Sequence, residues 1–275
     1  MSQILALVSA ALFGVADFTG GLASRTISAW RVTAWSQLFG VPVILIALAT
    51  ISESRFTTRD LVYGIVAMLF GLIGISLLYM ALAAGTMSIV SPIVGVVSAS
   101  IPVVWGLSTG ESLGTYQWIG ITAGLVSIVL IAGHKPHQSH PTKIILQALA
   151  AAVAFAVFFI AMGQTSQESG LWPLAAGRLV TVPIAFGVAA ITATAVIPKR
   201  PELPKVVFVG AADVGANIAV LLAIQTGSIA ITTVLASLYP AFTVLAAIVV
   251  LREKPTRQQS IGIIIAIAAG AILTL

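Results

Sequence analysis

Ten stretches of mostly apolar residues follow one another along this chain with short polar gaps, at about 3–22, 31–51, 60–82, 88–108, 115–133, 144–164, 172–196, 206–225, 228–250 and 258–275. As a helix each rises about 1.5 Å per residue, enough to cross roughly 30 Å of hydrocarbon. Lipid offers no partner to an open backbone N–H or C=O, so only helices or closed barrels span it, and stretches of this length are helices. The expected fold is all-α: a polytopic membrane protein of ten transmembrane helices, multi-pass in the plasma (inner) membrane. Ten such spans use up most of 275 residues and confine any chemistry to the bundle. The first stretch contains Asp17 and lacks a basic leader and a cleavage site, which makes it a span rather than a signal peptide.

Only 8% of the residues are charged and 59% are hydrophobic, with a mean hydropathy of +1.11. The net charge of +5 comes from Lys and Arg scattered over loops, not clustered with aromatics, so the expected partner is membrane lipid and not nucleic acid. The absence of cysteine excludes disulfides, thiolate metal sites and a Cys nucleophile. His134, His137 and His140 are spaced by three, yet Pro136 and Pro141 break the helix that a shared metal would need, and no metal or cofactor is expected. No span carries a Ser/His pair or a His/carboxylate cluster, and no Gly-Lys-Ser/Thr phosphate loop is present. An enzyme and a nucleotide-driven pump are therefore both disfavoured.

Shifting the sequence by 142 residues lays the last five spans on the first five. Phe13 then falls on Phe155, Trp30 on Trp172, Gly85 on Gly227, Ile89 on Ile231, Glu111 on Glu253, Gln117 on Gln259 and Gly120 on Gly262. At the second helix the offset is 141, which places Gln37 on Arg178 and Pro42 on Pro183. A repeat with an odd number of spans crosses the membrane in opposite senses, so the expected domains are two inverted five-helix repeats, 1–133 and 144–275, joined by a linker at 134–143. Secondary transporters are built this way, with the solute held near mid-membrane between the repeats.

The chain also resembles the ten-helix, EamA-like branch of the drug/metabolite transporter superfamily. The resemblance rests on Phe13-Gly14-Val15-Ala16-Asp17-Phe18 in the first helix. It also rests on Gly110-Glu111 through Gln117 and Gly120, answered in the second repeat by Arg252-Glu253 through Gln259 and Gly262. Arg252 replaces the usual glycine, and Pro240 stands where such chains place a proline. The resemblance implies carriage of small organic solutes, often their export, by a monomer or homodimer with its termini in the cytoplasm. The charge count opposes that orientation: ten Lys and Arg lie in the loops opposite the termini against Arg55 and Arg59 on the other side, which puts both termini outside.

Asp17, Arg178 and Asp213 fall inside spans, where each costs roughly 2.5–3.5 kcal/mol to insert. Counting rise per residue from the N-terminal face puts Asp17 at about 22 Å, Gln37 at about 20 Å, Asp213 at about 18 Å and Tyr239 at about 17 Å, one polar layer. Asn217 shares the helix face of Asp213. Two roles are open to Asp213: a titrating group that meets a proton or a cationic solute, or a fixed partner for Arg178 on the preceding helix. Arg178 is alternatively an anchor for a carboxylate. Trp35, Trp105 and Tyr239 are candidates to stack on a solute. Pro42, Pro92, Pro102, Pro183 and Pro240 bend helices 2, 4, 7 and 9, by static kinking or by rocking. Glu111, Glu253 and the Thr256-x-x-Gln259 capping box are structural.

The expected function is a secondary transporter that moves an amino acid, amine or related metabolite or drug by alternating access, with protons as a possible coupling ion. The site is Asp17, Trp35, Gln37, Arg178, Asp213, Asn217 and Tyr239. The rival is a non-transporting membrane scaffold, which gains nothing from the insertion cost of three buried charges.

Overall fold

The computed structural model describes residues 1–50, 55, 57–84, 87–131, 142–192, 200–252 and 255–274. They form helices α1 (Ser2–Ala23), α2 (Ala29–Phe39), α3 (Val41–Thr50), α4 (Thr58–Ala84), α5 (Met87–Ser108) and α6 (Thr115–Ile131). The second half continues with α7 (Thr142–Gly163), α8 (Trp172–Thr192), α9 (Leu203–Thr226), α10 (Ile229–Ala236), α11 (Tyr239–Leu251) and α12 (Arg257–Thr274). Helices α2 and α3 run on as one span, and so do α10 and α11. Among the described residues nine spans have the length and apolarity to cross a membrane. The tenth, α6, has 17 residues, about 26 Å of helix and the lower limit for a crossing. Residues up to 141 of the expected linker, its three histidines and Glu253 lie outside the described residues.

Proline chemistry explains the two interrupted spans. Pro42 has no N–H to give to Leu38, four residues back, and Pro240 has none for Ala236. The helical pattern lapses between those positions, at Gly40 and at Ser237-Leu238, and each proline then occupies the first turn of the next helix, where a missing N–H is harmless. Pro92 and Pro102 in α5 and Pro183 in α8 sit inside continuous helices. The expected capping box is present: Thr256 N–H donates to Gln259 Oε1 at 2.9 Å and Gln259 N–H to Thr256 Oγ1 at 3.2 Å. Glu111 caps α10 from a distance, taking Ile229 N–H at 2.8 Å, Ala230 N–H at 3.2 Å and the Ser228 hydroxyl at 2.9 Å.

The helices pair off as two five-helix repeats would. Helix α1 packs on α9, and α7, its counterpart, packs on α4. The α4–α8 contact is answered by α2–α9, and α5–α7 by α1 with α10 and α11. Helices α6 and α12 pack on each other. Large apolar side chains such as Leu179 and Ile191, 79% and 88% exposed, point outward, a surface that suits acyl chains and not water.

Close approach at the crossings depends on missing side chains. A Cβ on Gly64 of α4 would stand 2.3–2.6 Å from the Pro173 backbone of α8, and one on Gly210 of α9 would stand 2.5 Å from the Ser36 carbonyl oxygen of α2. Backbone cannot rotate aside as a side chain does. Gly64→Ala is therefore expected to destabilise the folded chain by about 1–3 kcal/mol. Gly187→Ala, whose Cβ meets nothing within 4 Å, should be neutral or stabilising. Melting temperatures of the two variants in one detergent check this.

Candidate functional site

The α2–α9 crossing is where the buried charge of the bundle is resolved. Arg178 enters from α8, 3% exposed. Its Nη2 donates to Asp213 Oδ2 at 2.7 Å, and its Nη1 donates to the Gln37 carbonyl oxygen at 3.1 Å and to Gln37 Oε1. One guanidinium fork thus ties α8 to α2 and α9 together, with a charge-assisted bond to each. Asn217, one turn beyond Asp213, donates from Nδ2 to the Asp213 carbonyl oxygen at 2.7 Å, which leaves its own Oδ1 for other company.

Beside this cluster a pocket enclosing about 580 Å³ of atom-free space, part of it open to the outside, lies between the two halves. Its polar lining is Asp17, Gln37, Ser98, Asp213, Asn217 and Tyr239, and its walls carry Phe13, Phe155, Phe158 and Phe159. Tyr239, at the start of α11, donates its hydroxyl to the Ser91 carbonyl oxygen at 3.3 Å. Phe158 and Phe159 meet edge to face with centroids 5.3 Å apart.

The 142-residue shift organises this lining. Phe13 and Phe155 are equivalents and face the pocket together. Asp17 corresponds to Phe159, Asp213 to Gly71 and Asn217 to Ile75, and all six line the pocket. Gln37 and Arg178, equivalents at the 141 offset, touch each other. The two halves supply the same positions with different chemistry, so a symmetric frame holds an asymmetric set of charges.

The profile of the EamA-like transporter family matches residues 1–133 and again residues 142–275. The chain belongs to the EamA-like transporter family. A comparison with curated proteins gave no match. One solved crystal structure of a protein is similar to this EamA-like chain with a TM-score of 0.74 and 20% identity, over 97% of this chain and 96% of the other. That likeness is one of fold.

Of the residues singled out in the sequence, Asp17, Gln37, Asp213, Asn217 and Tyr239 line the pocket, and Arg178 stands directly behind Gln37 and Asp213. Trp35 is elsewhere. Its ring packs against Phe39 at 5.5 Å and edge-on to Phe186 at 5.4 Å. Residues two apart on a helix point in different directions, so Gln37 facing the pocket turns Trp35 away. Trp105 is 39% exposed on the outer surface. The phenylalanine walls and Ser98 were not singled out. For Phe159 the signal is the repeat register, which aligns it with Asp17; Phe158 and Ser98 carry no such signal. Among the described residues no group of three His, Asp or Glu could hold a metal ion.

Removing one member of a buried ion pair strands the other charge. Arg178→Gln and Asp213→Asn are each expected to destabilise the fold by about 3–5 kcal/mol, and the double variant by clearly less than their sum. Denaturation midpoints across this double-mutant cycle measure the coupling.

Proposed function

We propose that this EamA-like chain is a secondary transporter that carries a small organic solute bearing an amine outward across the plasma (inner) membrane. Alternating access takes place between the repeats 1–133 and 144–275, with 134–143 as the connection. The observation that carries the reading is the state of the two pocket carboxylates. Asp213 has its charge met by Arg178. Asp17, 4% exposed, has no salt-bridge partner among the described residues.

A buried carboxylate in an aromatic-walled pocket is neutralised either by a proton or by a cation brought to it. Both cannot occupy it at once, so competition at Asp17 couples solute movement to proton movement in the opposite direction. The phenylalanine walls suit an aromatic or apolar body on the solute, and the ring faces add attraction for its ammonium group. Gln37, Asn217 and Tyr239 supply the remaining donors and acceptors, and Arg178 positions Gln37 and Asp213. Of the two roles the sequence leaves open to Asp213, the ion pair supports that of a fixed partner for Arg178. The titrating role then falls to Asp17.

The test uses phenyltrimethylammonium, which cannot shed a proton and so cannot accumulate by passive trapping. It is expected to raise the melting temperature of the purified protein, by the equivalent of about 2.7 kcal/mol at a hundredfold excess over its dissociation constant. It should also accumulate in acid-loaded proteoliposomes. Asp17→Asn should abolish both effects. Benzoate or glucose binding in its place, or wild-type behaviour of Asp17→Asn, would contradict the proposal.

A further inference from the structure

We infer that Asp60 and Glu202 are the gate-positioning residues of the transport cycle, latching opposite faces in alternate states: Asp60 holds Ser166, as here, and Glu202 holds Ser24 when the carrier faces the other way. The inference rests on the alternating-access reading above.

Asp60 opens α4 and is 2% exposed. Its Oδ1 accepts the Ser166 N–H at 2.9 Å, and its Oδ2 accepts the Ser166 hydroxyl at 2.8 Å and the Thr57 hydroxyl at 2.9 Å. The Thr57 contact is local helix capping. The Ser166 contacts reach 106 residues along the chain, to the turn between α7 and α8. That turn is held a second time by Gln225 at the end of α9, whose Nε2 donates to Thr165 Oγ1 at 3.2 Å and to the Ser166 carbonyl oxygen at 3.0 Å. On the face that carries the N-terminus, the first repeat is therefore bound to the second by a buried carboxylate.

The 142-residue shift carries Asp60 to Glu202 and Ser166 to Ser24. Each repeat thus sets a carboxylate at the start of its third span and a serine just past its first, and the second set lies at the opposite end of the bundle. Among the described residues the link is not made there: the buried Ser24 hydroxyl has no partner, and Glu202 takes Lys205 Nζ alone, three residues away, at 3.1 Å. The buried Nε of Arg31, at the same end in the first turn of α2, is unpartnered as well.

Buried polar groups are nearly always satisfied, and the repeat register gives the orphan Ser24 hydroxyl and the Glu202 carboxylate the positions of the bonded Ser166 and Asp60, so the missing bond is assigned to another state. Inverted repeats supply that state, because turning the carrier over gives each repeat the conformation of the other. The bond made by Asp60 and Ser166 is then broken as the bond of Glu202 and Ser24 forms.

The chain has no cysteine, so spin labels can be placed at will. One pair, Thr58→Cys with Glu168→Cys, reports on the Asp60 face, and a second, Arg25→Cys with Arg200→Cys, on the Glu202 face. Distances are read by pulsed electron paramagnetic resonance in lipid nanodiscs. Asp60→Asn should open the first pair and close the second, changing the ratio of the two populations about tenfold, the scale of one charged hydrogen bond. Ser166→Ala, a smaller change, should act in the same direction. Adding Glu202→Gln or Ser24→Ala to Asp60→Asn should bring the ratio back toward wild type. Populations that ignore Asp60→Asn and Ser166→Ala, or that respond to them but not to the added Glu202→Gln and Ser24→Ala, overturn the latch and leave the carrier reading intact. A single distance on each face in every variant overturns alternating access itself.

Discussion

A guanidinium in the middle of a lipid-embedded bundle must be met by acceptors, and the arrangement around Arg178 follows from that requirement. Its fork reaches Asp213 on α9 and Gln37 on α2, so three helices, drawn from both halves, cannot separate at that level without stranding a charge. The geometry also demands close backbones. Gly40 and Gly210 face each other at the crossing, and a Cβ on Gly40 would lie 3.3 Å from Arg178 Nη1. Charge, glycine placement and the proline-induced lapse at Gly40 are one solution to one problem, the burial of an arginine among apolar helices.

Duplication supplies the frame, and divergence between the copies supplies the chemistry. Equivalent positions face one pocket, yet one copy offers Asp17 where the other offers Phe159, and one offers Gly71 where the other offers Asp213. A fully symmetric pocket would carry paired like charges, which repel each other in a low dielectric. Here Asp213 is met from within the protein by Arg178, and Asp17 has no salt-bridge partner among the described residues. The same division recurs at the membrane faces, where Asp60 is satisfied and Glu202 is only partly engaged.

Much of this was legible in the sequence because membrane physics leaves so few options. Span count, repeat register and capping at Gln259 follow from apolar length, self-similarity and hydrogen-bond accounting. Rise per residue put Asp17, Gln37, Asp213 and Tyr239 at one depth, and all four line the pocket. Depth fixes only one coordinate, however. The direction in which each side chain points depends on helix rotation, which an evenly apolar membrane helix does not advertise, and so Trp35 was grouped with Gln37 although it faces away. A phenylalanine that lines a pocket has the same sequence signature as one in the core, which is why Phe158 and Phe159 drew no attention. That Arg178 reaches Asp213 depends likewise on side-chain direction, which the sequence does not carry.

The central claim is that one pocket between the repeats is reached from both sides of the membrane in turn. In this cysteine-free chain, Ser98→Cys places a single thiol in the pocket wall. Its labelling by a membrane-impermeant thiol reagent, applied separately to each side of oriented proteoliposomes, measures access directly. The account predicts labelling from either side alone, slowed on both sides by phenyltrimethylammonium. Labelling confined to one side would describe a fixed cavity and contradict the account.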